Sequence, residues 1–150
     1  MDRLHASAAI VSALAVGLVA GVGMRSAAQS HDPALMAGVA RRAHATADDL
    51  RALCWHDCES VSQGDLRSYC HGRCGSITDG STRAACEGDC GGVGDADLRA
   101  LCTGHCDAVS DPDLAALCEG RCPAIEDRAL RAWCRHDCGA IGARRERSRR

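Results

Sequence analysis

The cysteines of this 150-residue chain recur with a period that has no exception. They form six Cys-x-x-x-Cys pairs, and each pair begins 16 residues after the one before it. A fixed period is typical of repeated supersecondary units that bury a core by stacking on one another. The pairs are Cys54/Cys58, Cys70/Cys74, Cys86/Cys90, Cys102/Cys106, Cys118/Cys122 and Cys134/Cys138.

Each 16-residue unit has the pattern of an amphipathic helix followed by a turn. In the first unit both cysteines share one helical stripe with the apolar residues, and strand alternation does not fit. We therefore predict a helix of about 11 residues and a turn of about five in each unit. The stripe consists of Leu50, Leu53, Cys54, Cys58 and Val61.

Capping residues stand where this helix should begin and end. Four units end on an aspartate that can cap the next helix, and Pro112 occupies a first helical position. A glycine or proline directly after the second cysteine favours a helix end there. The aspartates are Asp79, Asp95, Asp111 and Asp127, and the residues that favour an end are Gly75, Gly91, Gly139 and Pro123.

A turn of about five residues favours an antiparallel neighbour. We therefore predict an all-α fold, an array of six short antiparallel helices over residues 48–143 that forms helical hairpins. In such a hairpin the first cysteine of one helix faces the second cysteine of the next. A parallel stack is the alternative, and it would need a nearly fully extended turn.

The spacing CxxxC-x11-CxxxC resembles the twin CxxxC hairpins of the small translocase chaperones of the mitochondrial intermembrane space. In that family the outer cysteines pair with each other, and so do the inner ones. The chain departs from the family in its N-terminal segment and its six tandem units, so only the hairpin geometry is carried over. The resemblance implies the disulfides Cys54–Cys74, Cys58–Cys70, Cys86–Cys106, Cys90–Cys102, Cys118–Cys138 and Cys122–Cys134.

Two other states of the cysteines fit the same spacing. In a staggered scheme each helix bonds both neighbours, which leaves Cys58 and Cys134 free or joins them to close a ring. Four facing thiolates would also suit Zn(II), Cu(I) or an iron–sulfur cluster. Bacterial copper-storage bundles are similar in lining helices with CxxxC pairs. In that alternative all twelve cysteines are metal ligands and copper or zinc is the cofactor, whereas disulfides need no cofactor.

The N-terminus has the layout of a secretory signal peptide. Arg3 precedes the uncharged run 6–24, and Ser26 and Ala28 fit a cleavage after residue 28. An uncleaved membrane anchor is the alternative. Export to the periplasm or the extracellular space favours disulfides, because such compartments are oxidising. Residues 29–47 contain no cysteine and are predicted to be a linker or a short leading helix.

Composition limits the possible functions. The chain has three aromatic residues, so its core is thin, and disulfides worth about 3 kcal/mol each would offset that. The body is acidic and the tail 144–150 is basic and predicted to be disordered, which argues against a nucleic-acid partner. The triplet His-Asp-Cys occurs at 56–58 and 136–138, and we interpret it as a cap at each end of the array.

We find no catalytic residues in this pattern and predict that the chain is not an enzyme. The predicted function is an exported structural or binding module stabilised by disulfides. Its partner is a protein or cell surface of unknown identity, with membrane contact only if the N-terminal segment stays uncleaved. The alternative is a thiolate protein that stores or sequesters Cu(I) or Zn(II).

Overall fold

The computed structural model describes residues 32–142, so the predicted signal segment and the basic tail lie outside the described part of the chain. The predicted all-α class and the array of short, disulfide-linked helices are confirmed. Residues 32–142 contain seven α-helices and no strand. The helices are α1 (Pro33–Arg42), α2 (Ala47–Cys54), α3 (Gly64–Cys70), α4 (Gly80–Glu87), α5 (Ala96–Thr103), α6 (Pro112–Cys118) and α7 (Arg128–Cys134).

Each unit consists of an α-helix, a turn and a three-residue 3₁₀ helix that begins at the second cysteine. The two cysteines of a unit therefore lie on different elements. The prediction of one helix of about 11 residues through both cysteines is wrong, because the α-helices of the units have seven or eight residues. The 3₁₀ helices are Cys58–Ser60, Cys74–Ser76, Cys90–Gly92, Cys106–Ala108, Cys122–Ala124 and Cys138–Ala140.

A residue in the left-handed conformation ends each α-helix before the second cysteine is reached. In the fourth unit Gly104 has φ 74°, and its N–H donates to the carbonyl of Leu101 at 3.1 Å. The N–H of His105 donates to the carbonyl of Ala100 at 2.9 Å, which completes a Schellman motif. The same two bonds end all seven helices described. The left-handed residues are Gly72, Gly88, Gly104, Gly120, His44, His56 and His136.

The predicted helix starts are confirmed, and the predicted stops are wrong. Asp79, Asp95, Asp111 and Asp127 each accept a hydrogen bond from a backbone N–H in the first turn of the next helix. Pro112 is the first residue of α6. The residues that follow the second cysteines, including Pro123, lie inside the 3₁₀ helices, because the left-handed residue has already ended the α-helix.

The six units close into a ring. The α-helix of each unit contacts the 3₁₀ helix of the unit before it, and α2 of the first unit contacts both α7 and the 3₁₀ helix of the last unit. The closing junction carries a disulfide between Cys54 and Cys138. At the same junction Arg51 Nε donates to the carbonyl of Ile141 at 2.8 Å. We call this junction between α7 and α2 the seam.

Helix α1 lies inside the ring. Residues 34–40 are consecutive and all buried, which requires packing partners on every side of the helix. A side chain on Gly38 would place its Cβ 2.6 Å from Leu101 Cδ1, so α1 and α5 approach closely. The segment predicted to be a linker or leading helix is thus the central element of the core. No helix within residues 32–142 has the length and apolarity needed to cross a bilayer.

The inner layer of the ring supplies the rest of the core. A β-branched residue follows each 3₁₀ helix and is buried, with 0–7% of its surface exposed. Tyr69 of α3 is buried, and the next helix, α4, has Thr82 and Ala85 where most other units have leucine. A large side chain in one unit thus accompanies small ones in the next. The β-branched residues are Val61, Ile77, Val93, Val109, Ile125 and Ile141.

The left-handed helix ends give a stability prediction. Gly104→Ala should lower the free energy of unfolding by about 1 kcal/mol, because a Cβ in this conformation approaches the following carbonyl. Gly64→Ala is the matched control, since Gly64 begins α3 and a Cβ there has nothing within 4 Å. Denaturant unfolding of both variants checks this. Equal stability of the two variants would show that the left-handed position is not strained.

Candidate functional site: a disulfide belt and an acidic collar

All twelve cysteines are in disulfides, one at each junction of the ring. The second cysteine of each unit bonds the first cysteine of the next, and the Cα atoms of each pair are 5.5–5.6 Å apart. This separation lies within the range that a disulfide requires. The bonds are Cys54–Cys138, Cys58–Cys70, Cys74–Cys86, Cys90–Cys102, Cys106–Cys118 and Cys122–Cys134.

This connectivity corrects the predicted one. The hairpin scheme needs both cysteines of a unit on one helix face, but the left-handed turn lies between them and directs them to opposite neighbours. The staggered alternative was right that each unit bonds both neighbours, but it placed the closing bond at Cys58 and Cys134.

Three of the six predicted pairs, the inner ones, are confirmed: Cys58–Cys70, Cys90–Cys102 and Cys122–Cys134. The three outer pairs are wrong, because the outer cysteines bond the neighbouring unit on the other side. Cys54–Cys74, Cys86–Cys106 and Cys118–Cys138 are replaced by Cys54–Cys138, Cys74–Cys86 and Cys106–Cys118.

The disulfides and the CxxxC segments together form one covalent circle. Starting at Cys54, the backbone leads to Cys58, a disulfide leads to Cys70, and the same two steps repeat until Cys138 bonds Cys54 again. We call this circle the disulfide belt. It joins the first unit to the last without passing through the helices, so the ring is closed by covalent bonds as well as by packing.

The belt leaves no cysteine available as a thiolate ligand in this structure. Within residues 32–142 no group of three or more His, Cys, Asp or Glu side chains is arranged to hold a metal ion. In this structure the sulfurs that the four-thiolate alternative would use as ligands are instead paired at six separate junctions.

Arginine side chains also link neighbouring units, by bonding backbone carbonyl groups. Arg99 Nε donates to the carbonyl of Val93 in the preceding unit at 2.7 Å. The fifth unit has Ala115 in place of the arginine. Because Arg51 makes the same bond across the seam, the closing junction resembles the internal ones. The other bonds of this kind are Arg67 to Val61, Arg83 to Ile77 and Arg131 to Ile125.

An aspartate near the start of most ring helices binds the end of its own unit. Asp49 is 1% exposed and accepts hydrogen bonds from the backbone N–H groups of Ser62 at 2.6 Å and Thr46 at 3.0 Å. Burial alone would raise the pKa of Asp49, but the bonds from Ser62 and Thr46 outweigh it and lower the pKa to about 2. Asp65, Asp97 and Asp113 make the equivalent backbone contacts.

Four N-cap aspartates surround the C-terminal end of α1, and we call them the acidic collar: Asp79, Asp95, Asp111 and Asp127. Arg42 pairs with Asp79 at 3.0 Å and with Asp95 at 2.9 Å. Hydrogen bonds from Arg42 hold the pKa of the Asp79 carboxyl well below its usual range, against the opposing effect of burial. The starts of α4 to α7 therefore share one end of the ring, so the repeating block is one unit rather than a two-unit hairpin.

The collar is not evenly neutralised. Arg41 lies 2.7 Å from Asp111 but 4.0 Å from Asp127. The guanidinium groups of two arginines thus form ion pairs with four carboxylates, and the contact with Asp127 is the longest of the four.

A groove of about 340 Å³ opens beside Asp127 at the seam. Its apolar walls come from α1, from Leu50 of α2 and from Leu130 of α7. Arg41, His44 and Asp127 supply its polar groups. We call it the seam groove. No sequence pattern predicts this groove, because it forms where the connection from α1 to α2 meets the closing units.

The two His-Asp-Cys triplets belong to units that adjoin at the seam, although we interpreted them as caps at opposite ends of an open array. His56 and His136 both have φ 56° and take the left-handed position that glycine takes elsewhere. Trp133 is buried at 5% exposure, whereas Trp55 is 65% exposed. Of these two tryptophans, Trp133 is therefore packed in the interior and Trp55 is not.

No protein-family model, curated protein or solved structure matches this chain significantly.

The buried carboxylate of Asp49 gives a pH prediction. Its pKa is lowered by folding, so it stabilises the protein above the unfolded value near 3.8, and this contribution is lost as the pH falls towards about 2. Asp49→Asn should lower the free energy of unfolding at pH 7 by on the order of 2 kcal/mol. The difference in the free energy of unfolding between this variant and the wild type should shrink near pH 2.

Denaturant unfolding of the variant and the wild type, at about pH 7 and near pH 2, measures this difference. Asp48→Asn is the control, because the side chain of Asp48 is 86% exposed. A destabilisation by Asp49→Asn that is equal at both pH values would contradict the assignment.

Proposed function

We propose that this protein is an exported, non-catalytic structural or binding module held rigid by the disulfide belt. The observation that carries the proposal is that all twelve cysteines are used in one closed covalent circle. Disulfides form and persist in oxidising compartments such as the periplasm and the extracellular space. The signal-like segment 1–28 supports the same location.

The closed ring suits a role that requires durability. An open array of repeats exposes the faces of its terminal units and needs caps. Here the first and last units cover each other through Cys54–Cys138 and through the bond from Arg51 to Ile141. The disulfides then compensate for the thin core, because they lower the entropy of the unfolded chain and so stabilise the folded one.

Binding is the second part of the proposal. The seam groove and the exposed ring of Trp55 are features that a protein or cell-surface partner can use. The collar end of the ring is rich in carboxylates, which disfavours a nucleic acid. Contact with a membrane is proposed only for the case in which segment 1–28 stays uncleaved.

The state of the cysteines can be measured by intact mass. Protein purified without reductant should resist alkylation under denaturing conditions and weigh about 12 Da less than the reduced form, one hydrogen for each thiol. Twelve alkylated thiols together with bound copper or zinc would contradict the proposal and favour the thiolate alternative.

The location is tested separately by the N-terminus of the mature protein. Cleavage after Ala28 should give a chain that begins at Gln29 in the exported fraction. A chain that keeps residues 1–28 and remains in the cytoplasm would contradict export, whatever the state of its cysteines.

A further inference from the structure

We propose that the seam groove binds a small primary aliphatic amine as its ammonium ion, with the charge held by Asp127 and the hydrocarbon chain along the groove floor. The proposal goes beyond the proposed function, because it requires neither export nor a protein partner. It rests on the packing that leaves the groove open, on the burial of its lining residues and on the charges at its rim.

The groove exists because of how α1 is seated in the ring. Helix α1 packs most closely against α5 and α6. Towards the seam its lining residues include Ala37 and Ala40, which are neighbours on one helix face, and their short side chains leave the space open. The volume of about 340 Å³ lies at the lower end of the range for small-molecule pockets, so it suits a ligand of a few heavy atoms.

The groove has an apolar floor and a polar rim. Ala37, Ala40 and Leu130 belong to the floor, and each is at most 2% exposed. The side chains of Arg41 and Asp127 at the rim are 41% and 42% exposed, so a ligand can reach them from the solvent. A ligand in this groove would therefore place an apolar part on the floor and a polar part at the rim.

Asp127 is the rim group that can accept a further partner. Its Oδ1 accepts a hydrogen bond at 2.9 Å from a backbone N–H in the first turn of α7. Its Oδ2 lies 4.0 Å from Arg41 Nη1, which is beyond hydrogen-bond distance, and has no closer cation among residues 32–142. Arg41 donates instead to Asp111 at 2.7 Å. With His44 neutral, two carboxylates and one guanidinium leave one formal negative charge, so the rim favours a cation.

A primary ammonium group on a short hydrocarbon chain matches both parts of the groove. The ammonium has three donors and no acceptor, which suits a carboxylate oxygen that lacks a hydrogen bond. The hydrocarbon chain covers the apolar floor, and each buried methylene should tighten binding about threefold. An anion would instead be repelled by the carboxylates of Asp111 and Asp127.

The test is an NMR titration of the full chain with n-butylammonium chloride, followed in ¹⁵N–¹H correlation spectra. The amine is fully charged at about pH 7, because the ordinary pKa of a primary amine is near 10.4. We expect saturable shifts of the amides at residues 40–45 and Leu50, with a dissociation constant on the order of 1 mM for so small a ligand. Ethylammonium, which is two methylenes shorter, should bind about tenfold more weakly.

The role of the carboxylate is tested by Asp127→Asn. This variant should raise the dissociation constant for n-butylammonium by about tenfold or more, because it removes a charge-assisted hydrogen bond. Asparagine also caps helices well, so the variant keeps α7. Asp95→Asn is the matched control, since Asp95 caps a helix in the same collar, pairs with Arg42 and does not line the groove. In about 0.1 M salt, which screens distant charges, it should leave the constant unchanged.

Two ligand controls on the wild-type chain do not depend on the stability of any variant. The probe n-butanol has the same chain without the charge, and ammonium chloride has the charge without the chain. Each should bind at least about tenfold more weakly than n-butylammonium. Binding of either control as tight as that of n-butylammonium would overturn the proposal, as would an unchanged constant in Asp127→Asn.

The identity of the occupant is a further outcome of the titration. A response to a lysine-containing peptide but not to n-butylammonium would assign the groove to a protein partner and overturn the proposal. None of these results bears on the disulfide belt or on export, so failure of this proposal is distinct from failure of the proposed function.

Discussion

Closure of the ring is the constraint on which the rest of the structure depends. A helix of seven or eight residues is too short to be stable alone, so each unit needs a neighbour on both sides. In an open array the first and last units would each lack one neighbour. Here the first and last units are neighbours of each other. They are joined by the disulfide between Cys54 and Cys138 and by the hydrogen bond from Arg51 to the carbonyl of Ile141. Closure also creates the interior that α1 fills.

The central helix and the ring stabilise each other. The ring has few large side chains, and α1 supplies apolar surface on all sides through residues 34–40. At its C-terminal end Arg41 and Arg42 neutralise the collar of N-cap aspartates. The same carboxylates therefore cap the ring helices and hold α1 in place. Asp127 has the weakest contact with these arginines, and it lies beside the seam groove.

The sequence was sufficient to predict the unit, its helical character and its N-caps, because these depend on residues close in the chain. It was not sufficient to predict where the helix ends. Gly104 and its equivalents end the α-helix two residues after the first cysteine, whereas the sequence pattern predicted an end after the second cysteine. That error merged two elements into one helix and gave the wrong outer disulfides. The seam groove could not be predicted, because it depends on contacts between the first and last units.

Disulfide mapping tests ring closure most directly. Digestion of unreduced protein with trypsin separates the cysteines of interest, because cleavage at arginine gives the peptides 52–67, 100–121 and 136–144. The structure predicts that 136–144 is linked to 52–67 through Cys138 and Cys54. A link from 136–144 to 100–121 through Cys118, which both the hairpin scheme and the staggered scheme require, would contradict closure of the ring through Cys54 and Cys138.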